Sequence, residues 1–203
     1  MTSFAKLLAT DGVTEECTLR SRFGFMAFHG GGLEEMTDTI AREAAEQAGA
    51  SYYAVLQPAS LRLHIPSHRV DPAESASLTQ FMDHVEAVVT IHGYGRPGFY
   101  TTLLLGGQNR VLARHVADHL RVALPHYEMQ TDLEVIPPDL RGQHPLNPVN
   151  RAAAQGVQIE LPPRVRGSSP IWADWKGPGH TPDTQALIAG LVAASQAWTV
   201  KAA

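Results

Sequence analysis

Short apolar runs alternate with amphipathic segments along most of the chain, a pattern that predicts alternating strands and helices. The apolar runs are rich in β-branched or aromatic residues and are bounded by glycine, proline or serine, as strands usually are. Six runs are predicted to form strands: residues 23–28, 52–56, 61–65, 86–93, 100–107 and 156–161.

Three further segments have the spacing of amphipathic helices. In residues 37–49, Ile40 and Ala44 share one face, and the segment closes on a glycine, as many helices do. Residues 108–124 repeat the pattern, and residues 183–198 follow a stretch rich in proline and glycine. Strands separated by helices predict an α/β fold in which helices flank a mixed, mostly parallel sheet.

The length and composition of the chain are consistent with one ordinary globular domain. Its 203 residues are enough to bury a core, and 44% of them are hydrophobic and 18% charged. No internal repeat or linker divides the chain, so a single domain over residues 1–203 is expected. The net charge of −4 argues against a surface built for non-specific binding to DNA.

Cysteine content and hydropathy bear on the compartment. Cys17 is the only cysteine, which excludes an internal disulfide framework. The first residues resemble a signal peptide poorly, and no apolar run approaches the roughly 18–20 residues needed to cross a bilayer. We therefore expect a soluble protein made in the cytoplasm.

The stretch "FHGGGLEEMTD", residues 28–38, combines a histidine, three glycines and carboxylates at the end of a predicted strand. Consecutive glycines indicate a tight turn or a close approach of the backbone. His29 is expected just after the strand, and Glu34 near the start of the next helix. A phosphate cradle is disfavoured because the stretch lacks the spacing of phosphate-binding loops and is acidic. A histidine with a carboxylate is part of a hydrolytic zinc site.

Two other strands carry candidate chemistry. "VVTIHGYG" ends on His92 followed by glycine, which is compatible with a metal ligand or with a hydrogen-bonded turn residue. In "GVQIEL", Glu160 interrupts an apolar strand. Because a buried, unpaired carboxylate is costly, Glu160 lies either on a solvated face or in a functional cavity, and its sequence context leaves both open.

A second metal site is conceivable in "RHVADHL", where His115 and His119 are four residues apart on one helical face. No third ligand stands beside them, and the segment fits an amphipathic surface helix. Trp172 and Trp175 lie in a proline-rich loop, where they either form the wall of a pocket or pack against the body of the protein.

The ordered motifs "HGGGLE", "LHIPSHRVD", "IHGYG", "LLLGGQN" and "NPVNRAAAQGVQIEL" together resemble phage-type poly-γ-glutamate hydrolases. These are zinc enzymes whose core is similar to that of zinc carboxypeptidases. The resemblance covers roughly residues 20–166 and does not extend past Ser168. It implies a zinc carboxypeptidase-like fold and a Zn²⁺ cofactor.

The resemblance also assigns roles to individual residues. His29, Glu34 and His92 correspond to the three zinc ligands, and Glu160 to the general base. Because Glu35 follows Glu34 directly, the sequence leaves open which of them is the ligand, although the family spacing favours Glu34.

The substrate-binding residues implied by the resemblance surround this set. Arg151 is a candidate to hold a substrate carboxylate or the developing oxyanion, because a guanidinium suits that geometry. Asn147 and Asn150 are candidates to assist it. His64 matches a recurrent histidine of the family, and Arg166 is a further loop arginine available to an anionic substrate.

The resulting hypothesis is a zinc-dependent amide hydrolase that cleaves the γ-glutamyl linkages of poly-γ-glutamate with metal-activated water and a glutamate base. The expected partner is an anionic γ-glutamyl polymer or a small amide bearing a carboxylate, met after cell lysis if the protein is phage-encoded. Two alternatives are a deacylase of small N-acyl amino acids and a phage-derived protein that binds nucleic acid or a partner and keeps a structural metal. Nucleic acid is the weaker partner, and no membrane role is expected.

Overall fold

Seven strands form one mixed sheet in the computed structural model, which describes residues 3–199. The strands are β1 (Thr14–Thr18), β2 (Phe23–Gly31), β3 (Ser51–Gln57), β4 (Ala87–Gly93), β5 (Thr102–Leu105), β6 (Glu128–Gln130) and β7 (Gly156–Leu161). The α-helices are α1 (Phe4–Leu8), α2 (Thr37–Ala48), α3 (Ala76–His84), α4 (Arg110–Ala123) and α5 (Pro182–Ala197).

The order of strands across the sheet is β1-β3-β2-β4-β7-β5-β6. The four strands β3, β2, β4 and β7 run parallel, whereas β1 and β5 pair antiparallel with β3 and β7. The predicted fold class, a mixed and mostly parallel sheet flanked by helices, is confirmed. The carboxyl ends of β2, β4 and β7 consequently meet at one edge, where α/β proteins bind ligands.

The central strands are buried on both faces, which explains why they are continuous apolar runs. In β2, Phe25 and Ala27 pack in the layer formed with α2, α4 and α5. Met26 and Phe28 point the other way, into the layer formed with α1 and α3. At the carboxyl ends of the strands, residues of the loops after β3 and β6 lie beside the sheet.

The triple glycine allows the end of β2 to lie against β3 and the chain after it. β2 extends to Gly31, so His29 lies inside the strand and not after it as expected. Gly31 has a φ of 67°, and a Cβ there would lie 2.3 Å from the carbonyl oxygen of Gln57. A Cβ on Gly32 would lie 2.2 Å from the Cα of Ala59. Only glycine permits this backbone approach.

The predicted strand over residues 61–65 is wrong. This segment forms a loop whose backbone bonds go to a side chain: the Leu63 N–H donates to Gln57 Oε1 at 2.8 Å, and Gln57 Nε2 donates to the Leu63 carbonyl at 2.8 Å. The edge of β3 that a further strand would need is already paired with β1. The apolar pattern arises because residues of this loop, such as Ile65, are themselves buried in the hydrophobic core.

The three predicted helices are present as α2, α4 and α5. Four elements were not predicted, namely α1, β1, α3 and β6. β1 is a polar edge strand, and α1 and β6 are too short to show a period. The start of α3 does carry a signal, because the Ser75 side chain accepts a hydrogen bond from the Leu78 N–H. Within residues 3–199, no helix combines the length and apolar character that a bilayer span requires.

Replacing Gly31 with alanine should destabilise the fold more than the same change at Gly49. Both glycines have a φ of 67°, so both variants incur the left-handed backbone cost of about 1 kcal/mol. A Cβ at Gly49 has no atom within 4 Å, whereas one at Gly31 would overlap the Gln57 backbone. We expect a loss of about 3 kcal/mol or more for Gly31→Ala. Urea unfolding of the two variants measures the difference, and equal losses would contradict the steric explanation.

Candidate active site

His29 and Glu34 meet at the end of β2. The turn after the strand is closed by the Glu34 N–H, which donates to the His29 carbonyl at 2.8 Å. His29 Nδ1 lies 2.7 Å from Glu34 Oε1, and His29 Nε2 lies 2.9 Å from the carbonyl of Ile65. Because a carbonyl only accepts, Nε2 carries the proton in that contact. Nδ1 is then the ring atom that faces Glu34, at a distance that calls for a proton or a metal ion between the two atoms.

The second oxygen of Glu34 reaches the end of β4. Glu34 Oε2 accepts from the Gly93 N–H at 2.8 Å and lies 3.4 Å from His92 Nδ1. Met36, which precedes α2, has a φ of 73°, an unusual conformation for a non-glycine residue that shapes the turn holding Glu34. Glu35 is exposed, so Glu34 is the carboxylate that the fold directs to the two histidines.

The charges of these groups are coupled. Burial alone would raise the pKa of Glu34, but His29 and His92 outweigh it and hold that pKa well below its usual range. Burial opposes protonation of His92, yet the contact with Glu34 and the charges of Glu34 and Glu160 raise the pKa of His92. Together, Glu34 and the two histidines favour a cation between the carboxylate and the rings, either a proton or a metal ion.

The donor set fits a metal ion. Ligand atoms of His29, Glu34 and His64 lie within 4.8 Å of one another, and His92 Nδ1 faces the same carboxylate. Two imidazoles and a carboxylate are a donor set of catalytic zinc sites, which keep one position open. His92 is buried on a strand, whereas the His64 side chain lies on a loop and is exposed. Partial desolvation of the His64 ring, together with the charge of His29, lowers the pKa of His64. His92 is therefore the more rigidly placed candidate for the third ligand.

Glu160 lies opposite His92 in the register of β4 and β7. Its side chain is 4% exposed, and Oε1 accepts from Gln158 Nε2 at 2.8 Å. Burial, together with the charge of Glu34, raises the pKa of Glu160 to about 7, against the lowering effect of His92. The buried carboxylate thus faces the functional cavity and does not lie on a solvated edge.

A chain of buried amides fixes the orientation of Glu160. The Val149 N–H donates to Asn147 Oδ1 at 3.3 Å, and Asn147 Nδ2 donates to Gln158 Oε1 at 2.8 Å. Because a backbone N–H can only donate, the amide of Asn147 and then that of Gln158 are oriented in turn. The chain ends in an N–H aimed at Glu160 Oε1, which leaves Oε2 as the oxygen available for proton transfer.

These residues line a cavity of about 550 Å³. Its floor is the carboxyl end of the sheet, and its walls are the loop after β3 and the loop after β6. The lining consists of His29, Glu34, His64, Pro66, Ser67, His68, His92, Gly93, Pro138, Asp139, Leu140, Gly142, Gln143, His144, Asn147, Gln158 and Glu160. Fold and cavity together bring the predicted metal ligands, the predicted base, His64 and Asn147 to one place.

Three of the predicted substrate-binding residues lie outside that lining. Arg151 is exposed and forms an ion pair with Asp71 at 3.2 Å. Asn150 stabilises the loop between β6 and β7. Its Oδ1 accepts from the Gln108 N–H at 2.9 Å, and its Nδ2 donates to the carbonyl groups of Gly142 and His144 in that loop. The structure therefore shows these two residues in structural contacts and not among the residues that line the cavity.

Arg166, the third, lies directly behind the cavity. A Cβ on Gly93 would be 2.8 Å from the guanidinium carbon, so the glycine lets the arginine approach. Its Nε donates to the Leu161 carbonyl at 3.2 Å and its Nη1 to the Glu35 carbonyl at 2.6 Å. Arg166 is 7% exposed, and it adds positive charge near the carboxylates without forming part of the wall.

Among the lining residues that sequence reasoning missed, Gln158, His68 and His144 carry polar groups used in the proposals below. Gln158 stands two residues before Glu160 and shares its face of β7, a signal that strand alternation supplies. His68 and His144 lie in loops, where no periodicity indicates which way a side chain points.

The alternative metal site on α4 does not form. His115 Nε2 contacts the carbonyl of Ala194 at 2.8 Å, and His119 Nδ1 contacts the carbonyl of His115 at 2.9 Å. Within residues 3–199, neither histidine belongs to a cluster of three metal donors. Trp172 and Trp175 pack edge to face against each other and are not part of the cavity wall.

Comparison with known proteins agrees with the resemblance. The family model described as poly-gamma-glutamate hydrolase matches residues 2–171. A bacteriophage poly-gamma-glutamate hydrolase structure has 20% sequence identity and a TM-score of 0.73, covering 90% of this chain and 87% of that chain. The zinc-free form of YNDL has 21% identity and a TM-score of 0.73, with 90% and 89% covered.

A more distant fold relative is a metallo-carboxypeptidase from Burkholderia cenocepacia. It has 8% identity and a TM-score of 0.51, with 93% of this chain and 65% of that chain covered. No curated protein sequence matches this chain. The carboxypeptidase-like fold implied by the motifs is confirmed.

Glu160→Gln should stabilise the metal-free protein at alkaline pH. The folded pKa of about 7 lies above the ordinary value of 4.5, so the folded state disfavours ionised Glu160. The resulting loss of stability is absent below about pH 4.5, grows as the pH rises, and levels off above about pH 7. The substitution removes that loss while retaining the contact with Gln158. We expect a gain of up to about 3 kcal/mol at pH 8 and almost none at pH 4.5.

Urea unfolding in the presence of a chelator, at pH 4.5 and pH 8, measures this difference. The matched control is Glu35→Gln, the same chemical change at an exposed neighbour of the site. A Glu160→Gln variant that is no more stable than the parent at pH 8 would show that the carboxylate is compensated in the fold.

Proposed function

We propose, because the chain belongs to the poly-γ-glutamate hydrolase family, that it cleaves γ-glutamyl amide bonds by zinc-dependent hydrolysis in the cavity at the carboxyl ends of β2, β4 and β7. Family membership makes it a hydrolase of poly-γ-glutamate. The identity of the metal and the roles of individual residues are the proposal. The observation that carries it is the convergence of Glu34 with both histidines beside the buried Glu160.

His29, Glu34 and His92 would hold the zinc ion, with His64 at the more open side of the cavity. The lone pair on Nδ1 of His29, fixed by the bond from Nε2 to the carbonyl of Ile65, suits a metal ligand. When bound, zinc supplies Lewis acidity for the scissile carbonyl and an increased acidity of water. Glu34 is anchored by the Gly93 N–H, so the site is supported by backbone as well as side chains.

Glu160 acts as general base and then as general acid. It accepts a proton from the attacking water and delivers it to the nitrogen of the leaving amine, so one carboxylate serves both halves of the hydrolysis. Its raised pKa suits a group that must gain and lose a proton near neutral pH. Gln158 is a positioning residue, since its N–H holds one oxygen of Glu160 and leaves the other free.

The substrate carries one free carboxylate on each γ-linked glutamyl unit. The wall of the cavity meets such a chain with histidine, amide and hydroxyl groups. Asn147, expected from the sequence to touch substrate, already has its amide committed to Gln158 and Val149. We therefore assign Asn147 to the support of the base.

The synthesis of this protein in the cytoplasm, expected from the sequence, stays a prediction.

Metal content and activity together test the site. His92→Ala should lose stoichiometric zinc, whereas Glu160→Gln should retain it and lose about 10²–10⁴-fold in kcat on poly-γ-glutamate. Elemental analysis of the purified variants and release of free amines from the polymer are the measurements. His126→Ala is the matched control, because His126 is exposed and is not part of the cavity. Full zinc binding by His92→Ala would contradict the ligand assignment.

Gln158→Met should separate catalysis from substrate binding. Methionine keeps the length of the side chain but removes the N–H that holds Glu160, so we expect kcat to fall about 10-fold or more with little change in KM. Asn147→Ala should act in the same direction and add little to Gln158→Met, because both act through one chain of bonds. Gln185→Met, on the exposed part of α5, is the control. An altered KM with normal kcat would instead place Gln158 in contact with substrate.

A further inference from the structure

The cavity lacks the residues that usually bind carboxylates. Among its lining residues, all within the described part of the chain, there is no lysine or arginine, whereas five are histidines. Three of these, His29, His64 and His92, surround Glu34. A polymer with a carboxylate on every unit must nevertheless find hydrogen-bond donors along the cavity, because leaving these groups desolvated and unpaired is costly.

The other two histidines, His68 and His144, form a pair at the cavity wall. His68 lies in the loop after β3 and His144 in the loop after β6, so the pair bridges the two loops that enclose the cavity. Their ring centroids are 4.6 Å apart, and the ring planes are inclined by 32°. Both side chains are exposed. The contact between the tilted rings uses their faces and edges without a hydrogen bond between their nitrogen atoms.

Hydrogen bonding defines which atoms of this pair are available. The Leu146 N–H donates to His144 Nδ1 at 3.1 Å, so Nδ1 is the acceptor and Nε2 carries the proton. Within residues 3–199, His144 Nε2 and both ring nitrogens of His68 have no hydrogen-bond partner. Two imidazoles therefore present free N–H donors at the same wall, held in place by contacts that use neither donor.

We propose that His68 and His144 form a subsite that binds the α-carboxylate of a glutamyl unit beyond the two units that the scissile bond joins. This inference rests on the proposed hydrolysis of a γ-linked polymer in the same cavity. A carboxylate has two oxygens and accepts from two neighbouring donors, and an imidazole N–H suits it in the neutral or the charged form. A second metal site is the weaker interpretation, because the pair has no third donor grouped with it among residues 3–199.

The subsite explains how the cavity selects its substrate without arginine. A unit whose α-carboxylate rests on the pair is displaced along the chain from the unit at Glu34 and Glu160. The pair therefore adds affinity for an extended γ-glutamyl chain and contributes nothing to the chemical step. An isolated amide that is too short to reach the loops gains no such contact.

Binding to an inactive enzyme isolates the subsite from catalysis. In the Glu160→Gln background, fluorescence anisotropy would measure the affinity for labelled poly-γ-glutamate of the added changes His68→Ala, His144→Ala and both together. We expect about a tenfold weaker Kd for each single change, as for the loss of a charge-assisted hydrogen bond. His126→Ala should leave Kd unchanged, and His68→Arg should retain tight binding because arginine also donates to carboxylates.

The same polymer with its carboxylates converted to amides identifies the group that the pair recognises. The binding difference between parent and His68→Ala should disappear with that polymer. Equal losses for the normal and the amidated polymer would overturn the carboxylate assignment. Unchanged binding of the normal polymer in the double variant would overturn the subsite itself. Zinc content and thermal unfolding of each variant establish that the metal site and the fold are intact.

Cleavage of γ-glutamyl oligomers of increasing length, with Glu160 intact, separates the two proposals. The parent should show kcat/KM rising with length, and the double variant should lose that rise while cleaving the shortest substrate at the parental rate. Identical length profiles would overturn the subsite and leave the hydrolase intact. A parent that cleaves no γ-glutamyl oligomer would overturn the proposed function, and the anisotropy result would still decide whether the pair binds carboxylates.

Discussion

The structure of the site depends on one largely buried carboxylate that contacts the ends of two strands. Glu34 faces His29 with one oxygen and His92 and the Gly93 N–H with the other. Burying a charge in this way is costly unless it is paired and hydrogen bonded. The two rings and the N–H provide that compensation, and they fix the ends of β2 and β4 relative to each other. The glycine turn follows from the same constraint, because Glu34 reaches this position only if Gly31 and Gly32 lie against the end of β3 and the chain beyond it.

The parallel register then brings a second carboxylate close to the first. Glu160 pairs with His92 across β4 and β7, so two acidic groups share one buried region. Glu34 takes the compensating contacts and stays ionised, whereas Glu160 is left with a single amide donor and a pKa of about 7. Unequal environments of this kind separate the roles of two carboxylates. In the proposed mechanism, the distribution of hydrogen bonds, more than residue type, would make Glu34 a ligand and Glu160 a base.

Much of this arrangement could be predicted from the sequence because it lies on strand ends. His29, His92 and Glu160 each lie on a buried strand that an apolar run in the sequence predicts. The ordered motifs identify the family. Loop residues carry no such information. Arg151, predicted to bind substrate, lies outside the cavity lining and pairs with Asp71. The apolar pattern of residues 61–65 arises from burial of loop residues such as Ile65. Gln158 was also missed, because its role depends on an amide chain that begins in a loop.

The choice of histidine over arginine in the cavity follows from the same electrostatics. A guanidinium free to enter the cavity would find Glu34 and Glu160 as partners, and such a bidentate pair would occupy the oxygens that the metal and the proton transfer require. Arg166 shows how the fold avoids this competition, since two of its nitrogens are bound to backbone carbonyls and Gly93 stands between it and the cavity. Imidazoles are weaker partners for the catalytic carboxylates, and they still offer N–H donors to a substrate. Under the proposed mechanism, a site that needs free carboxylates for its chemistry and must also bind a polyanion is therefore better lined with histidine than with arginine.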